Sequence, residues 1–474
     1  MNNEYKITIG LEVHVELSTN TKAYCRCKNE FGKEPNTNIC PICMGLPGAL
    51  PAFNENVLKY AIRAGLATNC SIANDSKFDR KNYFYPDLVK GYQITQDDKP
   101  IAYEGYLTIE EDGQEVKIGI ERIHMEEDTA KLTYDQFGRG TLIDFNRSGV
   151  PLIEIVSKPE MHSADMVIKY LEKLRKLLIY IGASECKMEE GGLRADVNIS
   201  VSKTSKLGER AEIKNMNSFK SIKRAIEYEV NRQIEIYENG GSIKQQTLRW
   251  DDIKGKTEVQ RSKETAKDYR YFPEEDLMEL KISNEYIEEI RKEIPELLDV
   301  KEKRYAEKYN LTQKQISYIL SDNALIELFE KTNEIVSKPK EIANYMISEI
   351  AQYINTELIE PKELKITAEQ FAKFIKLIQE DKLNSKTGKI VIEEMLKTSK
   401  EPEQIIEEKG LVQITDNNEI IKIVEEVLKA NPQSIIDYKN GKDKALGFLV
   451  GQCMKLSKGK ANPQLVNKII LENI

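Results

Sequence analysis

The first clear pattern of hydrophobic and polar positions is the segment ITIGLEVHVEL, residues 7–17. Apolar residues occupy every second position, so the segment predicts a β-strand with one buried face. Its other face carries Glu12, His14 and Glu16, spaced about 7 Å apart along a strand. Carboxylates and an imidazole can ligate a hard divalent cation such as Mg²⁺. For this strand alone, a solvated polar face is the simpler interpretation.

Two later segments repeat the alternation. GLRADVNISVS places Arg194 and Asp196 on one face, and ERAEIKNMNSF places Glu212 and Lys214 on one face. A solvated sheet face usually carries polar residues without this order of carboxylates and cations. We therefore expect the polar faces of the three strands to converge on one sheet surface and to form a catalytic site.

A lone carboxylate interrupts an otherwise apolar segment, where Glu154 stands among Leu152, Ile153, Ile155 and Val156. An unpaired buried charge is very costly, so Glu154 needs a partner. A metal ion and a structural salt bridge are both open interpretations. The segment IHMEEDTAK adds further candidate ligands, because His124 is followed closely by Glu126, Glu127 and Asp128.

Helical spacing predicts helices over residues 54–69, 163–181 and 218–239, each with an Asn or Ser cap at its start. From about Pro295 the composition changes to Glu, Lys, Leu and Ile with helical spacing, and a short break follows near Lys400. The chain thus predicts an α+β fold with a strand-rich domain first. The expected domains cover residues 1–294, 295–402 and 403–474.

Four of the seven cysteines crowd into one short segment. Cys25 and Cys27 form a C-x-C pair, and Cys40 and Cys43 form a C-x-x-C pair. Two such pairs suit a tetrahedral zinc site, and four thiolates would leave no position open for substrate, so the zinc would be structural. Four buried free thiols are the alternative.

Composition narrows the class of protein. The 474 residues are 40% hydrophobic and 31% charged, which is typical of a soluble globular protein. The net charge of −8 argues against a protein that coats nucleic acid indiscriminately. No apolar run approaches the ~18 residues of a membrane span, and the start lacks the layout of a signal peptide. We expect a cytoplasmic protein that does not bind membranes.

Familiar nucleotide-binding loops are missing from the sequence. It contains neither a G-x-x-x-x-G-K-[ST] loop nor a glycine-rich dinucleotide fingerprint. If ATP is used, a sheet face with metals and cations must hold it.

A series of motifs nevertheless spans nearly the whole chain in a recognisable order: GLEVHVEL, the C-x-C…CPxC-x-GLPGALP block, SKFDRKNYFYPD, IHMEEDTAK, NRSGVPLIEIVS, KMEEGGLRADVNISV, EIKNMNSF, DYRYFPEEDL and GFLVGQ-x-M-K-x-x-KGKANPQLVN. In these motifs the chain resembles the B subunits of the bacterial aspartyl/glutamyl-tRNA(Asn/Gln) amidotransferases. The resemblance implies a glutamine-synthetase-like cradle with a mainly antiparallel sheet, then an all-helical domain and a small helical tail domain. The last two would grip tRNA.

The resemblance also implies an activity, that of an ATP-dependent ligase with glutamine as nitrogen donor. The B subunits of this family phosphorylate the side-chain carboxylate of mischarged Glu-tRNA(Gln) or Asp-tRNA(Asn), and ammonia then displaces the phosphate. A partner glutamine amidase, the A subunit, supplies the ammonia through a tunnel. The small C subunit holds the two together in a heterotrimer that serves protein biosynthesis.

Site residues carry over where the motifs match. The implied catalytic residues are Glu12, His14, Lys81, Glu127, Glu154 and Asp196. The implied Mg²⁺ ligands among them are Glu12, His14, Glu127 and Glu154, and the choice of Glu127 over Glu126 rests on the resemblance alone. Lys81 and Asp196 would also line the ammonia route. The residues expected to bind the ATP cofactor are Arg194, Glu212 and Lys214. The cysteines Cys25, Cys27, Cys40 and Cys43 would hold a structural Zn²⁺.

Overall fold

The computed structural model describes residues 5–134, 138, 140–204, 206–262, 268–411, 417–439, 441–442, 444–457, 461 and 463–474. The chain divides into two compact units, Met1–Leu297 and Leu298–Ile474. The first is built on a large, mostly antiparallel sheet, and the second is helical. The predicted α+β fold class is confirmed. The expected three-domain division, with boundaries after residues 294 and 402, stays a prediction.

The first unit contains the strands of the described chain: β1 (Lys6–Glu16), β2 (Ser71–Ile72), β3 (Asp75–Ser76), β4 (Asp79–Asn82), β5 (Tyr92–Thr95), β6 (Ala102–Glu111), β7 (Gln114–Glu127), β8 (Lys131–Tyr134), β9 (Thr141–Asp144), β10 (Pro151–Ser157), β11 (Leu193–Ser202), β12 (Ala211–Lys214), β13 (Gln246–Asp251), β14 (Lys256–Ser262), β15 (Phe272–Pro273) and β16 (Leu280–Lys281). A nine-stranded sheet has the order β14-β13-β12-β11-β1-β10-β7-β6-β2. All of its pairs are antiparallel except β12 with β13. Smaller sheets pair β15-β4-β5, β16-β3 and β8-β9.

Strand β1 lies at the centre of the large sheet, between β10 and β11. Its apolar residues Ile9, Leu11, Val13 and Val15 are at most 1% exposed, as their alternation predicts. Removing such side chains from water is the main favourable contribution to folding. The polar residues of β1 consequently face the opposite side of the sheet.

Four α-helices accompany the sheet in the described part of the first unit: α1 (Glu55–Ala67), α2 (Ala164–Tyr180), α3 (Phe219–Glu238) and α4 (Asn284–Glu293). The side chains of Asn54, Ser163 and Ser218 each accept a hydrogen bond from a backbone N–H of the first turn that follows. These caps satisfy donors that the helix itself leaves unpaired. They confirm the predicted starts of the first three helices.

The second unit is made of helices in its described parts: α5 (Leu298–Glu307), α6 (Gln313–Ile319), α7 (Asn323–Val336), α8 (Pro339–Tyr345), α9 (Ala351–Glu357), α10 (Ala368–Gln379), α11 (Ser385–Thr398), α12 (Pro402–Glu408), α13 (Asn417–Ala430), α14 (Pro432–Lys439), α15 (Lys444–Leu456) and α16 (Pro463–Asn473). A π-helical turn, Met346–Ile350, joins α8 to α9. Helices α13, α15 and α16 share a hydrophobic cluster that includes Val424, Leu449 and Val466. Among the described helices, none is both long and apolar enough to cross a membrane.

We predict that the sheet core tolerates truncation poorly. Ile153 in β10 is completely buried, so Ile153→Ala should lower the free energy of unfolding by about 2–5 kcal/mol. Ile253 is fully exposed, and the same change there should stay within about 0.5 kcal/mol. Denaturant titration of both variants checks this, and equal losses would contradict the role given to the sheet core.

Candidate active site

The antiparallel register aligns polar residues into rows across the large sheet. One row runs through His124 of β7, Glu154 of β10, His14 of β1 and Arg194 of β11. In the adjacent row Glu12 faces Asp196, and one step further Asn198 faces Glu212 of β12. The three strands with alternating sequences are therefore neighbours, and their polar faces form one surface.

Two imidazoles and two carboxylates meet at the centre of this surface. The Nε2 atom of His14 lies 3.4 Å from Glu154 Oε2 and 3.8 Å from Glu126 Oε1. His124 Nε2 lies 3.3 Å and 3.2 Å from the same two oxygens. Oε1 of Glu126 is buried and accepts no hydrogen bond from the described residues. His14, Glu126 and Glu154 offer ligand atoms within 4.8 Å of one another, and we call them ligand set one.

The two histidines and Glu154 favour each other's charged forms. Burial alone would lower the pKa of His124, but the contacts with Glu126 and Glu154 outweigh it and raise that pKa to about 9. His14 shows the same balance, with a raised pKa that follows from Glu154. Burial would raise the pKa of Glu154, yet the two histidines hold it well below its usual range. The contacts between the imidazoles and this carboxylate thus favour the charged form of each group.

A second group of carboxylates lies beside the first. Glu12, Asp196 and Glu212 also offer oxygens within 4.8 Å of one another, and we call them ligand set two. Lys214 contacts Asp196 and lies 2.8 Å from Glu212, while Asn198 donates to Glu12 at 2.9 Å. Burial and the charge of Glu154 raise the pKa of Glu12. The carboxylate-rich chemistry of both sets fits hard divalent cations.

The structure brings Glu126, and not the expected Glu127, next to His14 and Glu154. Successive residues of a strand point to opposite faces, so only one of these two glutamates can face the ligand set. Glu127 instead contacts the Lys90 ammonium and accepts a hydrogen bond from the Ile94 amide at 3.0 Å. His124 and Glu126 are two positions apart in IHMEED, so the strand period of two already predicts that they share a face.

Lys81 and Arg194 occupy different places around the ligand sets. Lys81 shares a cavity of about 300 Å³ with Glu12, His14 and Glu154, and its Nζ lies 4.9 Å from the ring centroid of Tyr269. Burial opposes its charge, but nearby carboxylates keep the Lys81 pKa above its usual range. Arg194 lines a neighbouring cavity, where its Nη2 atom lies 3.0 Å from Asp128 Oδ2.

Two further cavities flank the ligand sets along β1. The one beside Gly10 measures about 270 Å³ and has the apolar walls Val156, Pro159 and Leu207. The one beside Glu16 measures about 540 Å³ and has a polar, charged lining. Burial, followed by the charge of Asp128, raises the pKa of Glu16 to about 7.

The four clustered cysteines converge in space as well as in sequence. The sulfurs of Cys25, Cys27, Cys40 and Cys43 lie within 4.8 Å of one another. The Cys25 thiol, the Cys40 amide and the Lys22 ammonium together lower the pKa of Cys43 to about 5. Four converging sulfurs form a donor set that could hold zinc.

Comparison with known proteins identifies the family to which this chain belongs. A family model described as the GatB/GatE catalytic domain matches residues 7–288, and one described as the GatB domain matches residues 327–474. The B subunit of the aspartyl/glutamyl-tRNA(Asn/Gln) amidotransferase of Caldicellulosiruptor saccharolyticus is 53% identical over 476 residues. The proteins of the same name from Clostridium botulinum (strain Kyoto / Type A2) and Thermoanaerobacter pseudethanolicus are 51% and 49% identical. Each comparison covers 99% of both chains.

The first unit is thus a catalytic domain of the GatB/GatE class, with two carboxylate-rich ligand sets on its sheet. The whole chain belongs to the family of aspartyl/glutamyl-tRNA(Asn/Gln) amidotransferase B subunits. The resemblance carried by the sequence motifs is confirmed.

We predict that the cysteine cluster retains zinc. Cys25→Ser should lower the zinc content of the purified protein from about one equivalent to nearly none, because three thiolates bind zinc more weakly than four. Cys453 is equally buried but lies outside the cluster, so Cys453→Ala is the matched control and should keep the metal. Elemental mass spectrometry measures both, and a zinc-free wild-type protein would contradict the assignment.

The placement of the two neighbouring glutamates gives a second prediction. Glu126→Gln should weaken the binding of Mn²⁺, used as a probe for Mg²⁺, by about tenfold or more because ligand set one loses a charge. Glu127→Gln should change Mn²⁺ affinity by less than about twofold. Calorimetry or electron paramagnetic resonance distinguishes the pair, and the reverse order would restore Glu127 as the ligand.

Proposed function

We propose that this chain phosphorylates the side-chain carboxylate of mischarged Glu-tRNA(Gln) and/or Asp-tRNA(Asn) with ATP and then amidates it with ammonia. The observation that carries the proposal is the pair of adjacent ligand sets on one sheet face. The names of the relatives, which are those of tRNA amidotransferase B subunits, agree with it. The enzyme class is an ATP-dependent carbon–nitrogen ligase that uses glutamine as amide donor.

The chemistry explains why ATP is needed. A carboxylate is a poor electrophile, so one of its oxygens first attacks the γ-phosphorus of ATP, and ADP leaves. Ammonia then attacks the acyl carbon, loses a proton and displaces inorganic phosphate. Phosphoryl transfer requires positioning and charge neutralisation more than covalent chemistry by the protein. When bound, Mg²⁺ would supply that neutralisation at the phosphate oxygens.

Different residues of the sheet face would bind the metal ions and stabilise the charge of the phosphoryl group. His14, Glu126 and Glu154 would hold one Mg²⁺, and Glu12, Asp196 and Glu212 would hold another. Lys81 and Lys214 line the same cavity and would stabilise charge on the transferring phosphoryl group. Arg194 would assist them from the neighbouring cavity. Lys81 and Asp196 would also line the route of ammonia. Glu127 is not needed as a metal ligand in this scheme.

The remaining parts of the chain would serve assembly and tRNA binding. We assign the ammonia supply to a partner glutamine amidase, the A subunit of a heterotrimer, and the joining of the two to its small C subunit. The helical domain (295–402) and the tail domain (403–474) would bind tRNA. Lys455 lies near the end of α15, whereas Lys458 and Lys460, which extend this basic segment in the sequence, lie outside the described residues. The zinc is structural, and the complex works in the cytoplasm.

The decisive experiment follows γ-phosphate release from labelled ATP by the chain co-expressed with its two partner proteins. With Mg²⁺, release should require Glu-tRNA(Gln) or Asp-tRNA(Asn), and the amidated tRNA should form when glutamine is added. Phosphate release with free glutamate and no tRNA would instead indicate a ligase for the free amino acid. Binding of tRNA without any turnover of ATP would indicate an RNA-binding module.

We predict that one ligand of set two separates catalysis from tRNA binding. Glu12→Ala should lower amide formation by about 100-fold or more. Ligand set two would then hold its cation less tightly, and that cation would neutralise less of the charge on the phosphates. Affinity for tRNA should change by less than about twofold. Glu110→Ala removes an exposed carboxylate from β6 of the same sheet and should leave both unchanged. Near-normal turnover by Glu12→Ala would refute the site assignment.

A further inference from the structure

Glu16 is the third polar residue of β1, and it belongs to neither ligand set. Glu12 is part of set two and His14 is part of set one. Glu16 follows on the same face, about 7 Å beyond His14. Its carboxylate makes no hydrogen bond with the described residues and no ion pair closer than 4 Å. Arg194 and Arg147 attract it from beyond that distance, so its oxygens are left without a hydrogen-bond donor among the described residues.

The surroundings of Glu16 form a cavity of about 540 Å³. This volume is within the range of about 300–1,000 Å³ that is typical of small-molecule sites. Arg147 and Arg194 also line the cavity, but both are engaged by Asp128, at 3.4 Å and 3.0 Å. One carboxylate shared by two arginines leaves one positive charge in excess, and this charge attracts Glu16 from beyond 4 Å. No donor among the described residues occupies the Glu16 oxygens, so they stay free to accept hydrogen bonds from a ligand that enters the cavity.

The opposite end of β1 suits a different group. The cavity beside Gly10 combines the apolar walls Val156, Pro159 and Leu207 with the charged residues Glu121 and Arg210, a lining that fits a nucleobase with polar groups at its edge. ATP entering from that end would place its γ-phosphate at the two ligand sets. The carboxylate to be phosphorylated would then approach from the Glu16 end.

We propose that Glu16 binds the α-ammonium group of the aminoacyl residue carried by the tRNA. The inference rests on the proposed function, which places the side-chain carboxylate of that residue at the ligand sets. In a glutamyl group the α-nitrogen and the carboxyl carbon are about 5 Å apart, as four bonds of about 1.5 Å allow. A hydrogen bond of about 3 Å from the α-nitrogen to Glu16 then covers the remainder of the distance of about 7 Å between His14 and Glu16.

The test compares two substrates that differ only at the α-position. One is Glu-tRNA(Gln), and the other is tRNA(Gln) acylated with 2-hydroxyglutarate, in which a hydroxyl replaces the α-ammonium. If the wild-type complex uses only Asp-tRNA(Asn), the matched pair is aspartate and malate. The measured quantity is the ratio of kcat/KM for the amino substrate to that for the hydroxy substrate, at fixed pH.

The wild-type complex should favour the amino substrate by about tenfold or more, as expected for a charged hydrogen bond. Glu16→Leu should lower this ratio below about twofold while affinity for uncharged tRNA is retained. Glu16→Gln keeps an acceptor oxygen without the charge, so its ratio should be intermediate. Glu110→Leu, on an exposed strand position of the same sheet, should keep the wild-type ratio.

A wild-type ratio near one, or an unchanged ratio in Glu16→Leu, would overturn the inference and leave the proposed function intact. If Glu16→Leu fails to fold, Glu16→Gln decides in the same way, since an unchanged ratio there also overturns it. Failure of the wild-type complex to amidate either charged tRNA is a different result, and it would overturn the proposed function together with the inference.

Discussion

The pairing register of β1 is the constraint on which the site depends. Val13 pairs with Ile155 on one side and Ala195 on the other, which keeps the apolar faces together. The same register places His14 opposite Glu154 and Arg194. A slip of one residue would turn the buried side chains of β1 to solvent and the ligands into the core. The same register therefore determines both the packing of the core and the arrangement of the site.

The second requirement is electrostatic. The central carboxylates stand close enough to repel one another, and burial strengthens that repulsion because the local dielectric constant is low. Contacts with His14 and His124 hold the pKa of Glu154 below its usual range, and Lys214 pairs with Asp196 and Glu212. Divalent cations would compete with these partners for the same oxygens.

The strands and the first three helices could be predicted because period-two alternation and Asn or Ser caps are local signals. The same alternation identified the polar faces of β1, β11 and β12. It could not show that β7 and β10 lie beside β1, because strand order depends on contacts distant in sequence. The choice between Glu126 and Glu127 depended on side-chain direction within β7, and the resemblance alone selected the residue that instead meets Lys90.

Strand β1 also sets distances for the proposed chemistry. Backbone pairing on both sides holds Glu12, His14 and Glu16 about 7 Å apart, with less freedom than a loop would allow. The groups bound along this strand would follow the same order. The phosphate would lie near Glu12, the carboxylate near His14 and the ammonium group near Glu16. An aspartyl residue is one carbon–carbon bond shorter than a glutamyl residue, so it could satisfy both ends only if the side chain of Glu16 extended further. The reach of this single side chain would thus decide whether one site serves both charged tRNAs.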